Sequence, residues 1–367
     1  MNKLKTYIKK EPSIALFLIV ITILLIVMGW DCYALSKNNI WADEFEFLTL
    51  SSKLPSYSTS ESWLLEHTLF LNINFNDPII KEAYNNPVWV HPPVPVILMY
   101  PITKIFPDFI NQIWIYRILY MGIAFMTVML FADVIRKKWG WVIASISIVP
   151  FLLAHNLLMA GAYVYNDAWM CLFLAISVWI INVKYDSKWK YVTMIAMTLS
   201  KIYAFALIIP LILMQKNKKD MLYTLLCGCS LGLFLIYQKV VSGNISYFNG
   251  SLSSISEFNW SMLKIFVNDI QNYITGWGLY VSIPLIMIGI WLWIKNRFRE
   301  LHYSFVVMFI VLLGLAINGG LSGYKTFPVL YGVMFLTIPI GLRLVEMEKK
   351  SGKNKVGVLI EQDNKVH

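Results

Sequence analysis

Eight long apolar stretches constrain what this chain can fold into more than any other feature of its sequence. Each holds enough apolar residues to cross about 30 Å of hydrocarbon as an α-helix. The chain of 367 residues is 58% hydrophobic and only 14% charged, whereas soluble domains carry about 25% charged residues. We therefore predict an all-α polytopic membrane protein with eight full spans, near residues 13–30, 113–134, 140–158, 168–183, 220–241, 275–294, 302–318 and 326–343.

The amino terminus resembles a secretory signal peptide in one respect, because a basic region precedes the apolar stretch from Ser13 to Trp30. That stretch has no small-residue cleavage site after it, which a signal peptide requires. We therefore interpret it as a retained first span.

The segment from Tyr191 to Met214 differs from the eight spans, because basic clusters flank both of its ends and Lys201 lies at its centre. The positive-inside rule favours a cytoplasmic location for both ends. A hairpin of two half-length helices, folding back at Ser200 and Lys201, satisfies that rule if its turn is buried in protein or lines a wet cavity. A single span with a charge at its centre is the alternative. With the hairpin, all basic runs fall on one side, so both termini are expected in the cytoplasm.

Two regions follow from this topology. Residues 1–345 form the predicted membrane domain, and residues 346–367 form a short basic cytoplasmic tail. The connection 31–112 lies outside the cytoplasm and contains amphipathic pieces such as "SWLLEHTLFL" that suit interfacial helices. A connection of this length is usually functional or disordered, and its many large apolar residues argue against disorder.

The net charge of +10 does not indicate a nucleic-acid partner, because the basic residues occur in short runs beside apolar segments. Such runs fix membrane topology and favour anionic lipid headgroups, so membrane lipids are the expected partners. The four cysteines match no metal or disulfide spacing. We assign them no role and expect no metal and no cofactor.

The outer connection opens with "WADEFEF", which places Asp43 and Glu44 between large apolar rings just after the first span. A carboxylate near apolar surface has a raised proton affinity and can act as a general base toward a hydroxyl or amine. The alternative is that these acids are solvated loop charges or cap a short helix.

The same connection ends with "HPPVPVILMYPITKIF". Pro92 and Pro93 fix the backbone and hold His91 in a rigid extended entry to the apolar piece that follows. Pro101 is expected to break or kink that piece, which we interpret as re-entrant or interfacial. A purely structural role for His91 is the alternative.

Four further sites place polar residues at the outer side or within the membrane. Asn166 and Asp167 precede the fourth span, where an aspartate can simply cap a helix. Lys201 is an intramembrane cation, which is costly without a partner or a wet cavity and is suited to phosphate. Arg117, like the Tyr324–Lys325 pair, adds positive charge on the outer face, although Arg117 can also snorkel to headgroups.

The order of these motifs resembles the polyprenyl-phosphate-dependent glycosyltransferases of the GT-C superfamily. The likeness is to the branch with protein O-mannosyltransferases and lipid A aminoarabinose transferases. It is carried by "ADEF", the His-Pro-Pro segment, Arg117, "YNDA", "SKIYA" and "GYKTFPVLYGVMFLTIP" over residues 13–343. The resemblance implies a GT-C-like bundle whose outward-facing cavity transfers a sugar, with inversion, from a polyprenyl-phosphate donor to an acceptor.

The resemblance also implies roles for individual residues. Asp43 is the base for the acceptor, with Glu44 beside it. Lys201 meets the lipid phosphate, as Arg117, Tyr324 and Lys325 are also expected to do. The residues that shape the donor and acceptor cavity are His91, Pro92, Pro93, Asn166 and Asp167. Related enzymes often carry Arg-Tyr where this chain has Tyr324–Lys325, which is a departure from the pattern.

The chemistry of sugar transfer agrees with this residue set. The reaction develops positive charge at the anomeric carbon and releases a phosphate, so it needs a base on one side and cations on the other. Two other classes stay open: a secondary transporter or lipid-linked sugar flippase, for which broken helices are equally natural, and a non-catalytic scaffold or sensor. The richness in Lys, Asn and Ile is typical of a low-GC bacterium, so we expect a multi-pass protein of the plasma membrane.

Overall fold

The computed structural model describes residues 12–37, 44, 47–48, 51–52, 92–109, 111–154, 160–242, 279–296, 303–318 and 327–348. Within these parts all regular structure is helical, as predicted, with eleven named α-helices and one short 3-10 helix. Asp43, His91, Tyr324 and Lys325, like most of the connection 31–112 and the tail after residue 348, lie outside the described residues.

The helices follow the apolar pattern of the sequence closely. In chain order they are α1 (Pro12–Ser36), α2 (Pro93–Ile105), α3 (Ile113–Trp139), α4 (Trp141–Leu153), α5 (Asn166–Val183), α6 (Trp189–Thr198), a 3-10 helix (Ile202–Leu207), α7 (Ile208–Leu213), α8 (Lys218–Ser242), α9 (Leu279–Asn296), α10 (Tyr303–Asn318) and α11 (Val329–Leu336). After a single turn residue, Thr337, helical structure continues from α11 to Glu348.

Five helices are long and apolar enough to cross a membrane: α1, α3, α5, α8 and the extended α11. Shorter apolar helices occupy the other predicted spans, including α4, α9 and α10. These helices identify an integral membrane protein. Eight full crossings remain a prediction from the sequence.

Helix α1 is buried along one side only. Its buried residues recur every three or four positions and so form one stripe, which packs against α3 and α4; they include Phe17, Ile21, Leu24, Met28 and Leu35. The rest of α1 is apolar but exposed, with Ile26 65% and Trp30 66% accessible. A helix that is apolar on all sides suits a lipid environment. The other main contacts join α5 to α3 and α6, and α10 to α11.

Helix α2 begins at Pro93, where a proline costs little because the first helical N–H has no intrahelical partner. The helix continues through Pro101 to Ile105, so Pro101 does not break it, and the other expected effect, a kink, stays a prediction. A proline in a helix removes one main-chain hydrogen bond, and the remaining turns of α2 form around this loss.

The segment from Trp189 to Leu213 folds back on itself. Its first half, α6, ends at Thr198, and its second half starts with the 3-10 helix at Ile202. Both ends of the segment meet, because the Lys216 main-chain N–H donates to the hydroxyl of Tyr185 at 2.7 Å. The turn between the halves lies beside the middle of α8, because the hydroxyls of Thr198 and Ser230 are 2.7 Å apart. This is the course of a helical hairpin, with its turn at Leu199 to Lys201.

Candidate functional site

Two buried ion pairs form the polar centre of the bundle. In the first, Arg117 of α3 binds Glu44 through a planar fork. Nε lies 3.1 Å from Oε1 of Glu44 and Nη2 lies 2.6 Å from Oε2. Nη1 donates to the main-chain oxygen of Leu35 at the end of α1, at 2.7 Å. Arg117 is fully buried and Glu44 is only 2% exposed. The pair therefore fixes Glu44 to the start of α3 and, through Leu35, to the end of α1.

The second ion pair joins Asp167 of α5 to Lys201 in the hairpin turn. Nζ of Lys201 lies 2.8 Å from Oδ2 of Asp167, and both side chains are at most 5% exposed. The hydroxyl of Tyr203 donates to the other carboxylate oxygen. The ring of Tyr165 lies 3.7 Å from the ammonium nitrogen, close enough for a cation–π interaction. The buried cation therefore has a carboxylate, a hydrogen-bonded tyrosine and an aromatic face around it.

A short connection ahead of α5 links the two pairs. The main-chain N–H of Val164 donates to Oε1 of Glu44 at 3.2 Å. The next residue, Tyr165, supplies the ring over Lys201, and Asp167 follows two positions later. Because four consecutive residues hold both pairs, a shift of this connection moves both of them together.

Asp167 does not have the helix-capping role that its position allowed. The residue that precedes α5 is Tyr165, and no side chain caps this helix end. Asp167 lies in the first turn of the helix, where a negative charge is favourable. Its oxygens are used instead by Lys201 and Tyr203, so the capping alternative is wrong.

The start of α2 contacts the hairpin turn. The main-chain N–H of Val94, in the first turn of α2, donates to the oxygen of Leu199 at 3.2 Å. Leu199 begins the hairpin turn, two residues before Lys201. The start of α2, which begins at Pro93, therefore lies next to the hairpin turn that carries Lys201.

The last helix closes the opposite side of Asp167. A cavity of about 10 Å³ lies between the connection before α5 and the start of α11, and its lining includes Tyr163, Asp167, Phe327, Pro328 and Tyr331. Such a volume holds about one water molecule. This cavity, as the described residues form it, is therefore too small for a sugar.

Two polar side chains near the ion pairs have unusual surroundings. Burial raises the pKa of Tyr163, and the nearby Glu44 carboxylate raises it further while Arg117 opposes this effect. Its hydroxyl therefore stays protonated at neutral pH. Asn166 is fully buried, and its amide nitrogen and oxygen have no hydrogen-bond partner in the part of the chain that the structure describes. A buried amide without a partner is costly, so it is a candidate ligand contact.

Of the residues singled out in the sequence, the structure thus pairs Glu44 with Arg117 and Asp167 with Lys201. Asn166 is adjacent to Asp167, and the helix that begins at Pro93 is hydrogen-bonded to the hairpin turn. Asp43, His91, Tyr324 and Lys325 are outside the described residues. Sequence reasoning missed three contributors, Val164, Tyr165 and Tyr203. Both tyrosines lie within two residues of a predicted site residue. The aromatic residues beside "NDA" and "SK" could therefore have indicated these two contributors.

Among the described ranges, no three His, Cys, Asp or Glu side chains cluster as a metal site would require. No protein-family model, curated protein or solved structure matches this chain. The site therefore has to be interpreted from its own residues.

Proposed function

We propose that this protein is a membrane glycosyltransferase that moves a sugar from a polyprenyl-phosphate donor to an extracytoplasmic acceptor, with inversion at the anomeric carbon. The observation that carries the proposal is the convergence of distant segments. Glu44 pairs with Arg117 and accepts a hydrogen bond from the connection before α5, whose Asp167 pairs with Lys201 of the hairpin turn. The start of α2 is hydrogen-bonded to the same turn. Ionisable residues are costly to bury within a membrane, and they are retained there mainly where they serve a function.

Asp43 is the proposed base. It is the covalent neighbour of Glu44 in the sequence. Arg117 and Val164 donate hydrogen bonds to Glu44, and Arg117 also donates to the main-chain oxygen of Leu35. The sequence suggested that Arg117 meets the donor phosphate and that Glu44 acts beside the base. In this proposal the two instead hold Asp43 where an acceptor hydroxyl or amine arrives, because the Arg117 guanidinium is bound to Glu44 and Leu35.

Lys201 is the proposed contact for the leaving phosphate, together with Tyr324 and Lys325. Its ammonium group is held by Asp167 at 2.8 Å and sits over Tyr165. A lysine in such a low-dielectric site stabilises a developing phosphate charge more strongly than one in water. Asn166 and the His91, Pro92 and Pro93 segment shape the cavity between the base and the phosphate.

The proposed membrane frame consists of eight full spans plus the half-helix hairpin of α6 and α7. Every basic run then lies in the cytoplasm, and the ion pairs lie toward the outer side. The hairpin turn, which is non-helical at Lys201, satisfies the rule that irregular backbone within a membrane must be buried in protein.

Transfer by the purified protein tests this function directly. Wild type is reconstituted in liposomes with a radiolabelled polyprenyl-phosphate sugar and a panel of glycan, lipid and peptide acceptors. We expect label in an acceptor with wild type, and loss of transfer with donor binding retained in Asp43→Asn. Asp108→Asn is the matched control, because Asp108 is an exposed acid in the connection between α2 and α3. Transfer by Asp43→Asn at the wild-type rate would sink the base assignment.

A transporter or flippase of lipid-linked sugars is the second candidate, favoured by the broken helix that carries Lys201. The same liposomes separate the two functions. A transporter moves the labelled donor between leaflets and leaves its sugar–phosphate bond intact, whereas the proposed enzyme cleaves that bond and releases polyprenyl phosphate.

A further inference from the structure

A second cavity lies at the other end of the hairpin, away from the two ion pairs. It has a volume of about 880 Å³ and lies between the connection that precedes α6 and the start of α8. Its size is within the range of about 300–1,000 Å³ that is typical of small-molecule sites. The ends of the hairpin that line it carry basic clusters, so the positive-inside rule places this cavity on the cytoplasmic side.

The floor of this cavity is hydrogen-bonded and electrically balanced. Lys190 is 3% exposed, and its ammonium group donates to Asp220 and to the main-chain oxygen of Tyr185, both at 3.0 Å. Tyr191 donates its hydroxyl to the other Asp220 oxygen at 2.6 Å. Because Lys190 and Asp220 neutralise each other, the net charge of the cavity is set by its rim.

The rim is basic. Lys188 and Lys219 both line the cavity and are exposed, and neither forms an ion pair with any residue that the structure describes. Asp186 is the acid on the rim. The two connections together, residues 184–190 and 215–220, contain six lysines against two aspartates. An anion is therefore attracted to this rim.

Exposed apolar side chains lie on the side of α8 that carries the cavity residues. Tyr223 lines the cavity and is 39% exposed. Leu222, three residues after Lys219, and Leu226, three residues after Tyr223, are each more than half exposed. A soluble anion gains nothing from such a surface, whereas a lipid acyl chain can lie along it.

We infer that this cavity binds the headgroup of an acidic glycerophospholipid, with the phosphate between Lys188 and Lys219 and an acyl chain along α8. Lysine is suited to this role because its compact ammonium group acts as a point charge toward phosphate. A bound lipid would brace the hairpin against α8 from the cytoplasmic side. The inference does not depend on sugar transfer, since none of these residues belongs to the proposed active site.

The test measures lipid binding by the purified full-length protein in a neutral detergent. Phosphatidylglycerol, phosphatidylcholine and inorganic phosphate are titrated separately, and bound lipid is counted by native mass spectrometry while thermal unfolding is followed in parallel. We expect saturable binding of phosphatidylglycerol and a higher melting temperature. The double variant Lys188→Gln/Lys219→Gln should bind it at least tenfold more weakly, and Lys188→Arg/Lys219→Arg should retain binding.

The matched control is Lys138→Gln/Lys295→Gln, which removes the same charge from exposed lysines on the same predicted side but outside the cavity. We expect its lipid affinity to equal that of wild type. Equal weakening in both double variants would mean diffuse attraction to basic surface and would overturn the site. Equal effects of phosphatidylglycerol and phosphatidylcholine would overturn the headgroup assignment, and saturation by inorganic phosphate alone would identify a site for a free anion.

Discussion

The main-chain N–H of Val164 donates to a carboxylate oxygen of Glu44, 120 residues away in the chain, at 3.2 Å. Three residues later Asp167 holds Lys201, so one short connection ties together both buried ion pairs. Neither pair stands alone, because a change at one of them displaces the segment that positions the other.

The Asp167–Lys201 pair should be much more costly to break than to replace. Lys201→Met leaves Asp167 as a buried charge with only Tyr203 as a hydrogen-bond donor among its described contacts, and breaking such pairs costs about 3–5 kcal/mol. The double variant Asp167→Leu/Lys201→Met removes both charges and should be more stable than Lys201→Met alone. Thermal unfolding in detergent measures both, with Lys218→Met as the control at an exposed lysine. A double variant whose loss of stability equals the summed losses of Lys201→Met and Asp167→Leu, each measured alone, would contradict the pairing.

Arg117→Lys should separate the charge of this residue from its geometry. Lysine keeps the positive charge but cannot reproduce the two parallel hydrogen bonds that join the guanidinium to Glu44. We expect a loss of about 1.5–3 kcal/mol, the contribution of a hydrogen bond to a charged group, and a larger loss in Arg117→Met.

The control for this series is Arg343→Lys. Arg343 pairs with Glu346 on an exposed helical surface, where the two side chains are 44% and 51% accessible. Exposed pairs contribute little to stability, so the melting temperature of this variant should equal that of wild type. Equal melting temperatures for Arg117→Lys and wild type would mean that the fork geometry does not matter.

Tyr203→Phe tests the tyrosine that donates a hydrogen bond to Asp167 of the Asp167–Lys201 pair. It removes the hydroxyl that donates to Asp167 without changing the shape of the ring, and should cost about 1–3 kcal/mol. The same change in the Asp167→Leu/Lys201→Met background should have little effect, because its partner is gone. Tyr237→Phe, at a tyrosine that is 56% exposed, is the matched control. A similar cost of Tyr203→Phe in both backgrounds would assign its effect to packing.

The sequence predicted the elements of this site better than their partners. Helices α3, α5 and α10 begin or end within a few residues of the predicted spans, because apolar length is a local property. Glu44 and Arg117 were both singled out, but for separate roles. Their pairing depends on how α1 and α3 approach each other, which no local pattern encodes. The same holds for Lys201, whose carboxylate partner lies 34 residues earlier in the chain.

Gly332 of α11 should not tolerate a side chain. A Cβ at this position would lie 2.9 Å from Cα of Phe309 and 3.0 Å from its Cβ, so the backbones of α10 and α11 approach each other closely here. Gly332→Ala should destabilise the protein by about 1–3 kcal/mol through overpacking. Gly314→Ala on α10 is the matched control, since its Cβ would meet nothing within 4 Å. Unchanged unfolding of Gly332→Ala would mean that the two helices separate at little cost.

The course of the hairpin in the membrane can be tested with single cysteines. Lys188 and Lys216 flank the two halves and are both exposed, and the Tyr185–Lys216 hydrogen bond holds their segments together. In a Cys229→Ser background, which removes the exposed native thiol, Lys188→Cys and Lys216→Cys should both react with an impermeant maleimide in inside-out vesicles only. Asp108→Cys reports the opposite side and should react in right-side-out cells. Labelling of Lys188→Cys and Lys216→Cys from opposite sides would instead establish a single span, and would place Lys201 at its centre.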